Sequence, residues 1–432
     1  MTFAFFTLGC KANQFDTQAM ESLSVLRGHT LEGFDKPGAD AYILNTCTVT
    51  AVSDKKSRQM LRRVRRENPD AVIAVCGCFA QMEPETAAEL GADVVGGANN
   101  HEEFLRAIED CCLNQENRTL KRVPTVHSRS EKFEQLPAGG LAGHTRALLK
   151  IQDGCDNYCT YCIIPYSRGH IRSMPMEELA CQTRKLRKEG FRETVLTGIE
   201  ISSYGVDFGD GTSLIDALEL MSKEAGPMRL HLGSLEPRTV TREFCERLAK
   251  LPNICPHFHL SLQSGCDDTL KRMRRKYDTA RFYESVMLLR EYWPDCLLTT
   301  DVITGFPGET DEDFRKSCEF MQRCGFGDVH IFPYSERKGT PAAAMKQIPR
   351  HIREERAREA IELMTQTRQE FLARQQGKIF EVIFESRRKG FCGGHTEHYV
   401  ETAVQSGEDL RGQCRRVRIT GVEDDHLTGE LI

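Results

Sequence analysis

The sequence predicts an α/β protein in three parts, and three patterns predict it. Residues 1–125 alternate short apolar runs with helical periodicity, the mark of a small parallel sheet wrapped by helices. Residues 141–372 repeat that alternation about six times, which suggests a partial (β/α)6 barrel whose function sits at the carboxyl ends of the strands. Residues 373–432 hold no helix-length segment, only short strand candidates between turn residues, as a small all-β, OB-like module would.

In the first part the apolar runs fall at 3–8, 41–44, 71–75 and 92–95, with helical stretches at 14–27, 50–66, 84–90 and 101–112. Residues 127–143 are polar and rich in Gly, Ser and Pro, and read as a linker. The barrel strands are expected in "ALLKIQ", "TVLTGI", "RLHLGSL", "HFHLSLQ", "LLTTDVITGF" and "VHIFPY", with helices such as "MEELACQTRKLRKEG" between them. A charged helix over 353–376 leads to the last strands, "KIFEVIFES", "HYVETAVQ", "RRVRITGV" and "HLTGELI".

Composition narrows the function. No run approaches the eighteen or so apolar residues of a membrane span, and the amino terminus lacks a basic region followed by an apolar one, so a cytoplasmic location without a membrane partner is expected. Eighteen cysteines are many for a reducing compartment, where disulfides are the wrong explanation and metal or redox chemistry the better one. The net charge of −5 argues against a general nucleic-acid binder. Local charge points the other way: residues 55–66 carry seven basic residues and no acid, and 411–419 carry four.

The chemistry concentrates in "GCDNYCTYC", which sets Cys155, Cys159 and Cys162 in a C-x3-C-x2-C spacing. Zinc sites come as C-x2-C pairs in tandem, and no second pair follows. Thiolates are the natural ligands of 4Fe–4S clusters, and three of them leave one iron open for a small molecule. The motif directly follows the first barrel strand. In the first part Cys10, Cys47 and Cys78 each end an apolar run, so a parallel sheet would bring them to one carboxyl edge. Cys76 lies inside its strand and reads as packing. The other cysteines have no paired spacing and read as structural.

The three-cysteine motif at that position resembles the radical S-adenosylmethionine (SAM) enzymes. The resemblance implies that Tyr161 lies near the SAM adenine and that "TGIE", with Gly198 and Glu200, corresponds to a Gly-Gly-Glu stretch in which Ile199 replaces the second Gly. It also implies that "ITGFPGE", beginning at Ile303, packs along the adenine. "TLGCKANQFDT", "NTCTVT", "CGCFAQ", "LGSLEPR" and "SLQSG", followed by a β module, are similar to the methylthiotransferases over nearly the whole chain. This family has an amino-terminal cluster domain, a radical SAM barrel and a TRAM domain. Membership implies two 4Fe–4S clusters, held by Cys10, Cys47 and Cys78 and by Cys155, Cys159 and Cys162. It implies SAM bound near Tyr161, Gly198, Glu200, Ser234, Ser261 and Ile303, one SAM giving the methyl group and another the radical.

Within the family, "CDNYCTYCIIPYSRGHIRS", "TGIEISSYG" and "GFCGGHTEHYVETAV" look most like the branch acting on tRNA N6-threonylcarbamoyladenosine (t6A) at position 37. The other branches act on isopentenyladenosine tRNA or on a ribosomal-protein aspartate. The expected partners are the tRNA anticodon loop, an electron donor such as flavodoxin or ferredoxin, and a sulfur source. Arg387, Arg388, Lys389, Arg411, Arg415, Arg416 and Arg418 could follow a phosphate backbone, with Phe391 and Tyr399 as stacking groups. Two other classes compete. A radical SAM enzyme of small molecules does not explain the basic β module, and an RNA-binding iron–sulfur carrier or sensor leaves the barrel motifs unexplained.

Overall fold

The structure, a computed structural model, describes residues 1–114, 119–123, 127–139 and 145–432. Its first sheet is parallel throughout: β1 (Thr2–Thr7), β2 (Thr30–Glu32), β3 (Ala41–Thr46), β4 (Val72–Cys76), β5 (Val94–Val95) and β6 (Lys121–Arg122), ordered β2-β1-β3-β4-β5-β6. The helices are α1 (Lys11–Leu26), α2 (Ala51–Glu67), α3 (Gly77–Met82), α4 (Pro84–Glu89) and α5 (His101–Leu113). Side-chain alternation along the strands supplies two apolar faces. Phe3, Ile43 and Val72 pack under Met20 of α1 and Phe104 and Ile108 of α5, while Tyr42, Leu44 and Ile73 pack under Leu61, Val64 and Phe79.

The barrel begins at β7 (Arg146–Lys150), followed by the hairpin strands β8 (Gln152–Asp153) and β9 (Arg172–Ser173) around α6 (Ile164–Arg168). Then come α7 (Met176–Lys188), β10 (Glu193–Thr197), α8 (Leu214–Ala225), β11 (Arg229–His231), α9 (Arg242–Leu248) and β12 (His257–His259). The last units hold α10 (Asp267–Arg272), α11 (Thr279–Tyr292), β13 (Leu297–Thr304), α12 (Asp311–Cys324), β14 (Asp328–Pro333) and α13 (Arg350–Ala373). Two parallel sheets, β11-β10-β7 and β12-β13-β14, are joined by the parallel bridges Leu230↔Ile254 and Leu235↔Leu260. The strands therefore run from β7 round to β14, and a seam stays open between those two.

The amino-terminal domain covers that seam. Phe15 and Ala19 of α1 belong to the barrel's own core, and on the far side Ala51 N donates to Ser335 Oγ at 2.9 Å, just beyond β14. Between them lies a buried cluster of four charges. Arg168, with no solvent exposure, donates to Asp153 at 2.9 Å, Asp16 at 3.0 Å and Asn13 at 2.6 Å, and Lys150 bonds Asp16 and, at 3.0 Å, Asp153. Although burial pushes the Asp153 carboxyl up, Arg168 and Lys150 hold it well below the usual carboxylate range.

The expected linker is a packed strap over its described part, 127–139; residues 140–143 lie outside the described residues. Phe133, Leu136 and Ala138 join the barrel core. Glu131 accepts from Arg172 at 3.1 Å and from Asn99 at 2.7 Å, and Glu134 accepts from His101 N at 2.6 Å. Gly, Ser and Pro mark irregular backbone, but here its acids neutralise buried cations and its few apolar residues fill the joint.

The last sixty residues form a closed barrel of β15 (Ile379–Arg388), β16 (Phe391–Thr396), β17 (Glu401–Gln405), β18 (Cys414–Glu423) and β19 (His426–Leu431), ordered β15-β16-β17-β19-β18. It docks on the amino ends of the larger barrel's strands, where Arg146 pairs with Glu385 at 2.6 Å and Arg229 donates to the Glu381 carbonyl at 2.9 Å.

Removing one partner of a buried ion cluster strands the others. Arg168→Met should therefore lower the stability of the metal-free chain by about 3–5 kcal/mol in urea denaturation. A loss below about 1 kcal/mol, the worth of a surface pair, would show that solvent reaches this joint.

Candidate active site

The cysteine loop at the barrel mouth is fixed by its backbone. Gly154, at φ +72°, opens it, and any Cβ there would strike the carbonyl oxygen of His170. Thr160 N donates to the Met273 carbonyl at 3.1 Å and Thr160 Oγ1 to the Arg272 carbonyl at 3.0 Å, so the end of α10 pins the loop from the side. Cys162 N bonds the Cys159 carbonyl at 2.9 Å and turns the chain into α6. Burial pushes the thiols of Cys155 and Cys162 up to about 12, with Cys159 adding to the rise in both.

Two side chains that sequence patterns missed organise this mouth. Gln152 accepts from Ile199 N at 3.1 Å and Glu200 N at 2.8 Å while donating to the carbonyls of Asp153 and Gly154, so one amide ties the "TGIE" strand end to the cysteine loop. Arg275 donates to Cys159 Sγ at 3.3 Å and to Tyr277 Oη at 3.0 Å, with its second amino group 3.5 Å from the Ser261 carbonyl. A signal for Arg275 existed in "MRRKY", but three neighbouring basic residues look alike until the fold buries one of them.

The residues expected to bind SAM fall into three places. Tyr161 and Ile303 pack against the cluster of Met273, Phe306, Tyr334 and Ala342, with the Tyr161 and Phe306 rings edge-on at 6.5 Å. Glu200 accepts from Asn157 Nδ2 at 3.3 Å, and Ser261 meets Arg275. Gly198 and Ser234 line a cavity of about 510 Å³ inside the barrel. The "ITGFPGE" turn is held by Glu309, which accepts from Gly305 N at 2.7 Å and from Arg356 at 2.8 Å.

Cys10, Cys47 and Cys78 follow β1, β3 and β4 at the carboxyl edge of the first sheet. Gly9, just before Cys10, lets that loop lie against Cys47: a Cβ on it would lie 2.9 Å from Cys47 Cβ and 3.2 Å from its Sγ. Burial pushes the Cys47 thiol up to about 11, and it raises Cys78 too, against the pull of Arg168. Cys10 lines the same interior cavity as Gly198 and Ser234, so the edge of the amino-terminal sheet faces the strand ends of the barrel. Cys76 packs inside β4 as expected, whereas Cys181, read as structural, is exposed on α7.

The donor sets fit polynuclear iron better than a single zinc. Tetrahedral thiolates around one zinc, with Zn–S near 2.3 Å, lie about 3.8 Å apart. Among the described residues, the trio whose ligand atoms all lie within 4.8 Å of one another is Cys266, Asp268 and Asp313, where Asp313 is already held by Arg272 at 2.9 Å. Both cysteine sets are spread wider than one small ion needs. Their buried thiols also need a strong Lewis acid before they ionise.

Comparison with known proteins agrees. Residues 149–321 match the radical SAM superfamily, and residues 2–97 match an uncharacterized protein family, UPF0004. A threonylcarbamoyladenosine tRNA methylthiotransferase of Bacillus subtilis is 38% identical over all of this chain and 96% of its own length, and that of Aquifex aeolicus 37% over 97% of this chain and all of its own. This chain belongs to the tRNA methylthiotransferases. A second B. subtilis relative, tRNA-2-methylthio-N(6)-dimethylallyladenosine synthase, is 32% identical over 99% of this chain and 85% of its own length. The radical SAM methyltransferase TsrM of Kitasatospora setae shares the fold, with a TM-score of 0.57 at 13% identity over 79% of this chain and 74% of that one. The cofactors of this enzyme family are SAM and 4Fe–4S clusters.

The surfaces expected to meet RNA are partly altered. On α2, Arg58 pairs with Asp54 at 3.0 Å, Arg63 with Glu67 at 3.1 Å and Arg65 with Asp93, acids that adjoin residues 55–66 in space. Arg411 pairs with Asp409. Tyr399, at a positive φ of 63°, is not an outward stacking group: its ring stacks on His257 at 5.1 Å and His395 at 5.0 Å. Arg387, Arg388, Lys389, Phe391, Arg415, Arg416 and Arg418 remain exposed.

Burial pushes the Glu200 carboxyl from 4.5 up to about 7 despite nearby Arg275. The folded chain then holds that proton more tightly than the unfolded one, so its contribution is full at low pH and is lost as pH rises. Stability of the metal-free enzyme should decline between pH 4.5 and about 7, and Glu200→Gln should flatten that decline in denaturation curves across the range.

Proposed function

We propose that this enzyme converts t6A at tRNA position 37 into 2-methylthio-t6A. The observation that carries it is the shared space: Cys10, at the edge of the amino-terminal sheet, and strand ends of the radical SAM barrel line one cavity. In this proposal Cys155, Cys159 and Cys162 hold one 4Fe–4S cluster, and Cys10, Cys47 and Cys78 hold the other. SAM and the clusters supply the radical, the methyl group and the sulfur when bound.

The chain's own residues do the placing. Tyr161, Ile303 and Phe306 offer an apolar wall for the adenine of SAM, and Gly198, Glu200, Ser234 and Ser261 offer polar groups at the strand ends. Arg275 compensates negative charge on Cys159. The amino-terminal domain, seated over the seam, keeps water from the space between the cysteine sets. The target adenosine must leave its stack to enter, which is easier in an anticodon loop than in a duplex. The exposed basic residues of the last barrel track the tRNA backbone. Electrons come from a donor such as flavodoxin or ferredoxin, sulfur from an external source, and the reaction is cytoplasmic.

Two measurements test this. Anaerobically reconstituted enzyme should hold about eight irons, and replacing either cysteine trio by Ala should halve that number. Digested tRNA from cells lacking the protein should contain t6A and no 2-methylthio-t6A, restored by the wild-type gene but not by Cys10→Ala or Cys159→Ala. Persistence of that nucleoside, with loss of its isopentenyl counterpart, would assign the other tRNA substrate.

A further inference from the structure

The interior cavity reaches much deeper than the SAM-binding strand ends. From Cys10, Lys11, Gly198 and Ser234 it descends through the barrel to Tyr399 on the last domain, and its volume of about 510 Å³ is that of a small-ligand site. Polar side chains stand among the apolar ones of Leu232, Leu297 and Leu372 on its walls. His257 and His259 both meet Thr299 Oγ1 at 3.0 Å, His259 also faces Asp301 at 3.3 Å, and Arg368 pairs with Asp328 at 2.9 Å. Burial, the neighbouring histidines and Lys11 hold His257 well below its usual range, so it lines the cavity as a neutral group.

Lys11 is the lining cation left unmatched. Its ammonium stands 5.5 Å over the Tyr399 ring. Among the described residues no carboxylate lies within 4 Å of it, although Glu401 lines the cavity floor and Asp301 and Asp328 its wall. A cation beside an aromatic face and the neutral imidazole of His257, with no acid of its own, is arranged for an anionic ligand that brings further hydrogen-bonding groups.

We infer that this lumen receives the threonylcarbamoyl substituent of the target nucleoside, with Lys11 as the counter-ion of its carboxylate. The inference rests on the t6A proposal. The substituent's urea and hydroxyl groups match the wall of His257, His259 and Thr299, and its carboxylate matches Lys11. The N6 substituent and C2 flank the same edge of adenine, so a substituent in the lumen brings C2 toward Cys10, next to Lys11. An isopentenyl group would leave the cavity's polar groups unpaired, and a site built to bond polar groups rejects an analogue that lacks them more strongly than an apolar pocket rejects an added one. Lys11 is thus a specificity-determining residue.

The test uses the reconstituted full-length enzyme and two anticodon stem-loop RNAs, one with t6A and one with its threonyl methyl ester. The wild type should bind the acid at least about tenfold more tightly than the ester, near 1.4 kcal/mol. Lys11→Met should bring the acid down to the ester's affinity, and Lys11→Arg should keep most of the preference, with iron content measured in each because Lys11 adjoins Cys10. The wild-type comparison needs no variant and stands even if a substitution disturbs the cysteine site. Equal wild-type affinity for acid and ester, or a tenfold ratio surviving in Lys11→Met, overturns the inference while t6A conversion persists. A wild-type enzyme that modifies an isopentenyladenosine stem-loop and ignores t6A overturns the t6A proposal itself.

Discussion

Everything at the active site depends on four charges withdrawn almost wholly from the surface. Asp16, Lys150, Asp153 and Arg168 are all at most 3% exposed. An isolated buried ion of this kind would carry a penalty of several kcal/mol, which only close and complete pairing offsets. The pairing is complete only when the amino-terminal domain sits on the barrel, because Asp16 comes from one and the other three from the other. Asp16 lies six residues beyond Cys10, and Asp153 two residues before Cys155. One ion cluster therefore sets the position of both cysteine sets relative to each other, and any slip of the domains would expose unpaired charge.

The same low-polarity surroundings govern the thiols. Burial disfavours thiolate at Cys47, Cys78, Cys155 and Cys162, so loading iron must release protons, and affinity should depend on pH for that reason. Each cysteine set has one buried guanidinium close by: Arg168 acts on Cys10 and Cys78, and Arg275 donates to Cys159. A fixed positive charge beside each set compensates the negative charge that three thiolates bring. Arg168 does so while held by Asp16 and Asp153, which makes the domain joint and the electrostatics of the first cysteine set parts of one arrangement.

How much was legible in the sequence follows from what each signal measures. Apolar runs ending in cysteine marked Cys10, Cys47 and Cys78, because a parallel sheet must bring strand ends to one edge whatever the details of packing, and the C-x3-C-x2-C spacing marked Cys155, Cys159 and Cys162. Strand periodicity marked the barrel and the closing β module for the same reason. The strap over residues 127–139 was misread because composition reports backbone irregularity, not the buried partners that Glu131 and Glu134 find. Basic residues on α2 looked free because Asp93 and Glu67 lie outside the stretch that was counted. Tyr399 was assigned to RNA and faces the barrel. Gln152, Arg168 and Arg275 act through contacts at long range in sequence, which no spacing encodes.

The choice of six strands explains why three domains share one site. A closed eight-stranded β/α barrel fills its interior with its own side chains and leaves function to the loops above. Stopping at β14 leaves a seam and a hollow. α1 covers the seam and brings Cys10 and Lys11 to the hollow's edge, while the last domain supplies Tyr399, His395 and Glu401 as its floor. Each domain thus contributes wall to a single lumen that no one fold has to build alone. In that lumen Asp301 faces His259 and Asp328 pairs with Arg368, while the outer face of the last barrel carries exposed arginines despite an acidic total.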